Sequence, residues 1–225
     1  MDFTFEPVFR YWIANADQIH AVFETGNSAK LFLTIYFQSG LMRMELSGRP
    51  DGRLIHNKAS YYHYLLGRCK SSQKNKIPFE LNQQDFVQLE QELVLYLIRS
   101  LAFMHLHKYA LADHDLKFIS RTLSFVCKTS HDANTRDYFH QYLDLVRVIE
   151  QKALALIQME KHDYSSATEF LNKGNMLIEK LYKVADDSCT PHSRKDLLSL
   201  RQFMLNMPML QPADKTEHLS NHAML

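Results

Sequence analysis

Glycine and proline are scarce, at six residues each in a chain of 225. A fold made of many short strands needs both at its turns, so a sandwich or barrel is excluded as the main architecture and long helices are favoured. Cysteine is scarcer still. Cys69, Cys127 and Cys189 are odd in number, far apart and form no Cys-x-x-Cys. That excludes a disulfide framework and fits reduced thiols in a cytoplasmic protein. Neither sign of charge dominates, since 26 Lys and Arg face 25 Asp and Glu for a formal net charge of +1. No global field gathers nucleic acid or an anionic membrane, and binding to either needs a local patch. No stretch approaches the ~18 uninterrupted apolar residues of a membrane span. The start, Met1-Asp2-Phe3-Thr4-Phe5-Glu6, lacks the basic and apolar regions of a secretory signal. Gly-x-Ser-x-Gly, His-Glu-x-x-His and phosphate-loop patterns are all missing, so we expect no enzyme and no cofactor.

What the chain does have is apolar periodicity, with 46% hydrophobic and 12% aromatic residues. A domain of this size buries on the order of 70% of its unfolded surface. One pattern organises the rest. His107-Lys108-Tyr109-Ala110-Leu111-Ala112 and His162-Asp163-Tyr164-Ser165-Ser166-Ala167 share the form His-x-Tyr-x-x-Ala, and each lies between two long periodic segments. An aromatic followed by a small residue suits the corner of a helical hairpin, where the second helix crosses the first. The copies are about 55 residues apart, longer than the ~34 of a tetratricopeptide repeat, so a regular tandem array is excluded.

Taken in order, residues 1–18 carry Phe3, Phe5, Phe9, Tyr11 and Trp12, which suits a packed segment. Strands are expected at 19–23, 30–37 and 41–46, the last alternating Met42, Met44 and Leu46 with Arg43 and Glu45. Together they predict a small antiparallel meander. Gly48-Arg49-Pro50-Asp51-Gly52 follows as turn chemistry: either a plain tight turn, or one in which Arg49 and Asp51 have a specific job, bracing the sheet against helices or presenting a contact. A helix is expected over 58–70, then a mobile basic linker over 70–76. Asn82, with Asp85 three residues on, predicts the capped start of the next helix, which bears Phe86, Leu89, Leu93, Leu97 and Leu101 and is apolar all round from Leu93 to Ile98.

After the first corner come Ala112, Leu116, Ile119, Leu123 and Val126. Asp132 or Asn134 caps a third long helix with Tyr138, Tyr142, Leu145, Ile149, Ala153 and Leu156. The second corner leads to Ala167, Leu171, Gly174, Ile178 and Leu181. Gly174 costs this helix ~1 kcal/mol relative to Ala, and its place on the apolar stripe predicts a close helix contact. Ser193 caps a last helix to about residue 206, which closes the open end. The fold class is therefore α+β, mostly α: a β meander with its turn over 1–57, tetratricopeptide-like antiparallel hairpins over 58–207, and a disordered tail over 208–225.

The stretch Gly40-Leu41-Met42-Arg43-Met44-Glu45-Leu46-Ser47-Gly48-Arg49-Pro50-Asp51-Gly52 resembles a signature of bacterial proteins labelled UvrB/UvrC-motif (UVR) domain-containing. In that group a β meander ends in such a stretch and tetratricopeptide-like helices follow, an order matched here over roughly 19–182. The continuation Arg53-Leu54-Ile55-His56-Asn57 departs from the usual Arg-Pro-His-Gly-like one, and no Glu-Lys-rich helix pair like the UVR motif is recognisable. The resemblance implies an intracellular bacterial helical-repeat protein without known chemistry.

His105, His107, Asp113, His114 and Asp115 form the densest group of potential metal ligands. Neighbours one or two apart on a helix diverge, so they read as corner and surface residues, and no metal is expected. Glu90/Glu92 and Asp186/Asp187 read as solvated carboxylates. The expected function is a protein-interaction scaffold with an unidentified protein partner, and the structural or partner-contact residues are Arg49, Asp51, His107, Tyr109, His162 and Tyr164. The alternative is a nucleic-acid-associated accessory protein, in a DNA-repair setting, acting through Arg68, Lys70, Lys74 and Lys76 beside Tyr61, Tyr62 and Tyr64.

Overall fold

The computed structural model describes residues 20–26, 29–37, 40–187 and 194–206. Strands β1 (His20–Thr25), β2 (Leu31–Phe37) and β3 (Gly40–Glu45) form an antiparallel meander in the order β1-β2-β3. The register aligns Phe23, Leu33 and Met44, and likewise Ala21, Ile35 and Met42. One sheet face is therefore apolar, and Ala21, Leu33, Ile35 and Met44 are buried in the same core as the helices. The other face carries Glu24, whose carboxylate accepts from Thr34 Oγ1 (2.6 Å), Tyr36 Oη (2.5 Å) and Arg43 Nη2 (3.2 Å). The Thr34 hydroxyl, with the others behind it, holds that carboxyl below the ordinary range.

Six helices follow among the described residues: α1 (Tyr61–Lys74), α2 (Gln83–His105), α3 (Tyr109–Thr129), α4 (Ala133–Glu160), α5 (Tyr164–Asp187) and α6 (Arg194–Leu205). They pack as two antiparallel hairpins, α2/α3 and α4/α5, with α3 against α4, α1 against α2 and α6 against α5. The expected apolar stripes face inward: Leu89, Leu93, Leu97 and Leu101 on α2, Ala112 to Val126 on α3, Tyr142 to Leu156 on α4 and Leu197, Leu200 and Met204 on α6 are buried. Only Leu95 interrupts the buried run from Glu92 to Met104, which bears out the middle of α2 as covered on all sides. None of these helices is long and apolar enough to cross a membrane.

The helix ends follow their residues. Asn82 and Asp85 form a capping box on α2, Asp132 rather than Asn134 caps α4, and Ser60 caps α1 through the His63 N–H. Glycine-poor C-termini use other residues in the left-handed region: Lys76 (φ 54°), His107 (φ 55°) and His162 (φ 59°). In each case the next N–H reaches back five residues and the left-handed residue's own N–H three: Ile77 to Ser72 O, Lys108 to Phe103 O and Asp163 to Gln158 O, with Lys76 to Gln73 O, His107 to Met104 O and His162 to Met159 O. These are three Schellman motifs.

One expectation fails here. The basic linker over 70–76 is helical through Lys74. Lys, Gln and Ser on an exposed face do not break a helix, and the chain turns only at left-handed Lys76. Gly174 does mark a close contact, since a Cβ there would sit 2.4 Å from Met204 Cε of α6. The aromatic segment 1–18, the Ser193 cap, the side chains of Asp186 and Asp187, and the tail 208–225 lie outside the described residues.

Candidate functional site

Polar side chains gather at several places among the described residues, of which three bear on function. The first is the joint between sheet and helices. Pro50 O accepts from Glu45 N–H (2.8 Å) and Arg49 O from Gly52 N–H (2.9 Å), which folds 49–52 back on the end of β3. Gly48 and Gly52 take φ of 67° and 71°, which L side chains rarely adopt, and a Cβ at Gly52 would also press on Glu45 Cγ at 3.1 Å. Buried Arg99 of α2 grips this turn. Its Nη1 donates to Glu45 O (2.7 Å) and its Nη2 to Gly48 O (2.8 Å), while Nε and Nη2 hold Asp115 of α3 at 2.7 and 2.8 Å. Arg49 Nε lies 2.9 Å from Asp51 Oδ1 and its Nη1 3.3 Å from Glu92 Oε1, charge contacts whose N–H directions miss the oxygens. Glu92 also accepts the Tyr61 and Tyr62 N–H groups (2.8 and 3.1 Å) and so closes the start of α1. Burial pushes the Glu92 carboxyl up, against those two N–H groups and Arg49. Asp115 is pushed up by burial as well, against the Arg99 bonds.

Two readings are corrected at this joint. Glu92 is wholly buried rather than solvated, and Asp115 is a buried ion-pair partner rather than a helix-surface residue. Both sit where an apolar surface would be expected, because each answers a buried donor: Arg99 for Asp115, the open N–H groups of α1 for Glu92. The Arg49 side chain is 9% exposed and lies between Asp51 and Glu92, while Asp51 is at the surface.

The second place is the pair of corners. Both are built alike, but they differ in surroundings. His107 Nδ1 and Tyr109 Oη share a 2.6 Å hydrogen bond with Tyr109 buried, whereas His162 Nδ1 and Tyr164 Oη are 3.4 Å apart with Tyr164 56% exposed. Burial, then the Glu160 charge at the end of α4, pushes the Tyr109 phenol up to about 12. Asp113 pairs with Lys117 and Asp115 with Arg99. No three His, Cys, Asp or Glu among the described residues converge as metal ligands.

The third place is a hollow of about 380 Å³ between α1, α3 and α4, with Tyr62, Ser120, Arg121 and Ser124 on its wall, joined by Lys128 and Arg147. No single stretch of sequence encodes it, because its residues come from three helices.

The nucleic-acid candidates lie on α1 and the turn that ends it. Arg68 Nη1 donates to Asp85 Oδ1 (2.8 Å), and its guanidinium lies over the Tyr64 and Phe79 rings. Tyr61 is buried and donates its hydroxyl to Asp85 (2.7 Å); Tyr62 meets Phe118 and Phe125 edge-on; Tyr64 stacks on His56. Lys70, Lys74 and Lys76 are exposed, and Tyr62 and Tyr64 are half-buried. No protein-family model, curated protein or solved structure matches the chain.

Proposed function

We propose that the chain is a non-catalytic scaffold that binds a segment of another protein across its helical hairpins. The observation that carries this is the hollow at the join between one hairpin and the next, lined by residues of α3 and α4 and by Tyr62 of α1. Three of the buried carboxylates support it from the other side. Asp85, Glu92 and Asp115 are each spent on structural donors, and a general acid or base needs reach to a substrate. A cytoplasmic setting belongs to the same proposal, supported by the free thiols of Cys69 and Cys127. So does kinship with the UVR-labelled proteins, which rests on the Gly40–Gly52 stretch.

For the nucleic-acid alternative, Tyr61 is buried while Tyr62 and Tyr64 are half-buried, on the helix whose end carries the exposed Lys70 and Lys74. Purification of tagged protein from its native cell at low and high salt separates the two. The scaffold reading expects a protein partner retained at high salt. Retention on DNA or RNA that fades with salt and disappears in a K70A/K74A/K76A variant favours the alternative.

A further inference from the structure

We propose that the hollow between α1, α3 and α4 is an oxyanion site that receives a phosphate or carboxylate carried on the bound segment; this rests on the scaffold reading. Arg121, Ser124 and Lys128 stand at i, i+3 and i+7 on α3, so helix geometry sets them on one face. Arg147 comes from α4, across the hollow. The three cations are not neutralised equally. Arg147 Nη1 holds Asp144 Oδ1 at 3.0 Å, yet Asp144 is shared with Lys180 at 3.0 Å. Arg121 and Lys128 have no carboxylate within 4.0 Å among the described residues. In a chain of net charge +1 this is a local excess of positive charge around a concave surface, the condition that raises anion occupancy.

The donors fit the same ligand. Ser124 and Tyr62 are hydroxyl-bearing residues of the lining; Ser120 lines the hollow too, with its own hydroxyl donated to Glu150 at 3.4 Å. Burial, opposed by Arg121, raises the Tyr62 phenol, which therefore stays a neutral donor. Two carboxylates lie beside the hollow: Asp144, paired with Arg147 at 3.0 Å, and Glu150, which accepts from Ser120 Oγ at 3.4 Å; burial first and the charge of Asp113 second push the Glu150 carboxyl up. Phe125 and Leu143 complete the hollow with apolar surface. An oxyanion on a side chain flanked by apolar residues matches this wall: charge-assisted bonds to the cations, hydroxyls to the remaining oxygens and apolar contact beside them.

Titration calorimetry on the full chain tests this with four probes: inorganic phosphate, a short peptide with one phosphoserine flanked by leucines, the same peptide with glutamate, and a single-stranded oligonucleotide. The expected result is peptide binding that weakens about tenfold or more in R121A/K128A, as loss of charge-assisted bonds implies. It is unchanged in K173A, which removes a lysine paired with Glu169 elsewhere. Both substituted residues are exposed, and circular dichroism confirms the fold. Preference for phosphoserine assigns the anion to a phosphate, and equal binding of the glutamate peptide assigns it to a carboxylate. Phosphate binding lost in R121A/K128A, with no gain from the peptide, keeps the anion site and rejects the peptide reading. Binding of no probe, or equal binding by R121A/K128A and the native chain, overturns the site. Tighter oligonucleotide binding lost in the same variant moves the ligand to nucleic acid and overturns the assignment to a protein segment.

Discussion

The two hairpins share a corner and differ in what they hold. In α2/α3, Arg99 and Asp115 lie equally far either side of His107 and meet as a buried ion pair. The same offsets about His162 in α4/α5 bring Leu154 and Phe170. Each hairpin nevertheless sends a buried cation into the backbone of the element stacked on it. Arg99 reaches Glu45 O and Gly48 O of the sheet joint; Lys152 reaches Phe203 O and, at 2.8 Å, Asn206 O at the end of α6. The lesson is that a local motif fixes backbone geometry at a corner, while neighbours decide how much that corner contributes. Tyr109 is covered and Tyr164 is not.

Substitutions can break or sharpen that comparison. Arg99→Ala should cost the most, about 3–5 kcal/mol in urea unfolding, because it leaves Asp115 charged and buried without its partner and two carbonyls unanswered. An R99M/D115L pair should recover much of that loss, and strict additivity of the two single losses would contradict the pairing. Tyr109→Ala should cost about 3 kcal/mol and Tyr164→Ala less than about 0.5, so equal losses would erase the difference between the corners. His162→Gly should gain up to about 1 kcal/mol by relieving a left-handed non-glycine residue. His107→Gly should gain less, since it also removes the 2.6 Å bond to Tyr109. Thermal unfolding of both variants checks the order.

A pH series sharpens the joint further. Burial raises the Glu92 carboxyl above its ordinary 4.5, so between that value and its folded one the folded state binds more protons than the unfolded. Stability therefore falls as pH rises through this window. Glu92→Gln should flatten the fall, measured as urea midpoints from acid to neutral pH; a slope identical to that of the native chain would contradict the assignment.

Much of the architecture is legible in residue order. The meander, the stripes of α2 to α6, the Asn82 cap and the close contact at Gly174 all follow from periodicity and local chemistry. Polar residues inside that pattern were harder to place. Glu92 and Asp115 look solvated because a carboxylate usually is, and only their distant partners say otherwise. A signal for Arg99 was available: a cation within the apolar run of α2 needs a buried partner, and antiparallel helices bring together residues equidistant from the corner. The 70–76 stretch misleads because polarity resembles a loop when no residue breaks the helix. The hollow of Arg121, Lys128 and Arg147 depends on how α1, α3 and α4 pack, which no single stretch encodes.

Backbone amide exchange, measured on the chain alone and bound to the protein it retains at high salt, tests the scaffold most directly. The expected result is added protection at the start of α1, over 120–128 of α3 and over 143–147 of α4. Protection confined to 70–76, or abolished by nuclease, would contradict it.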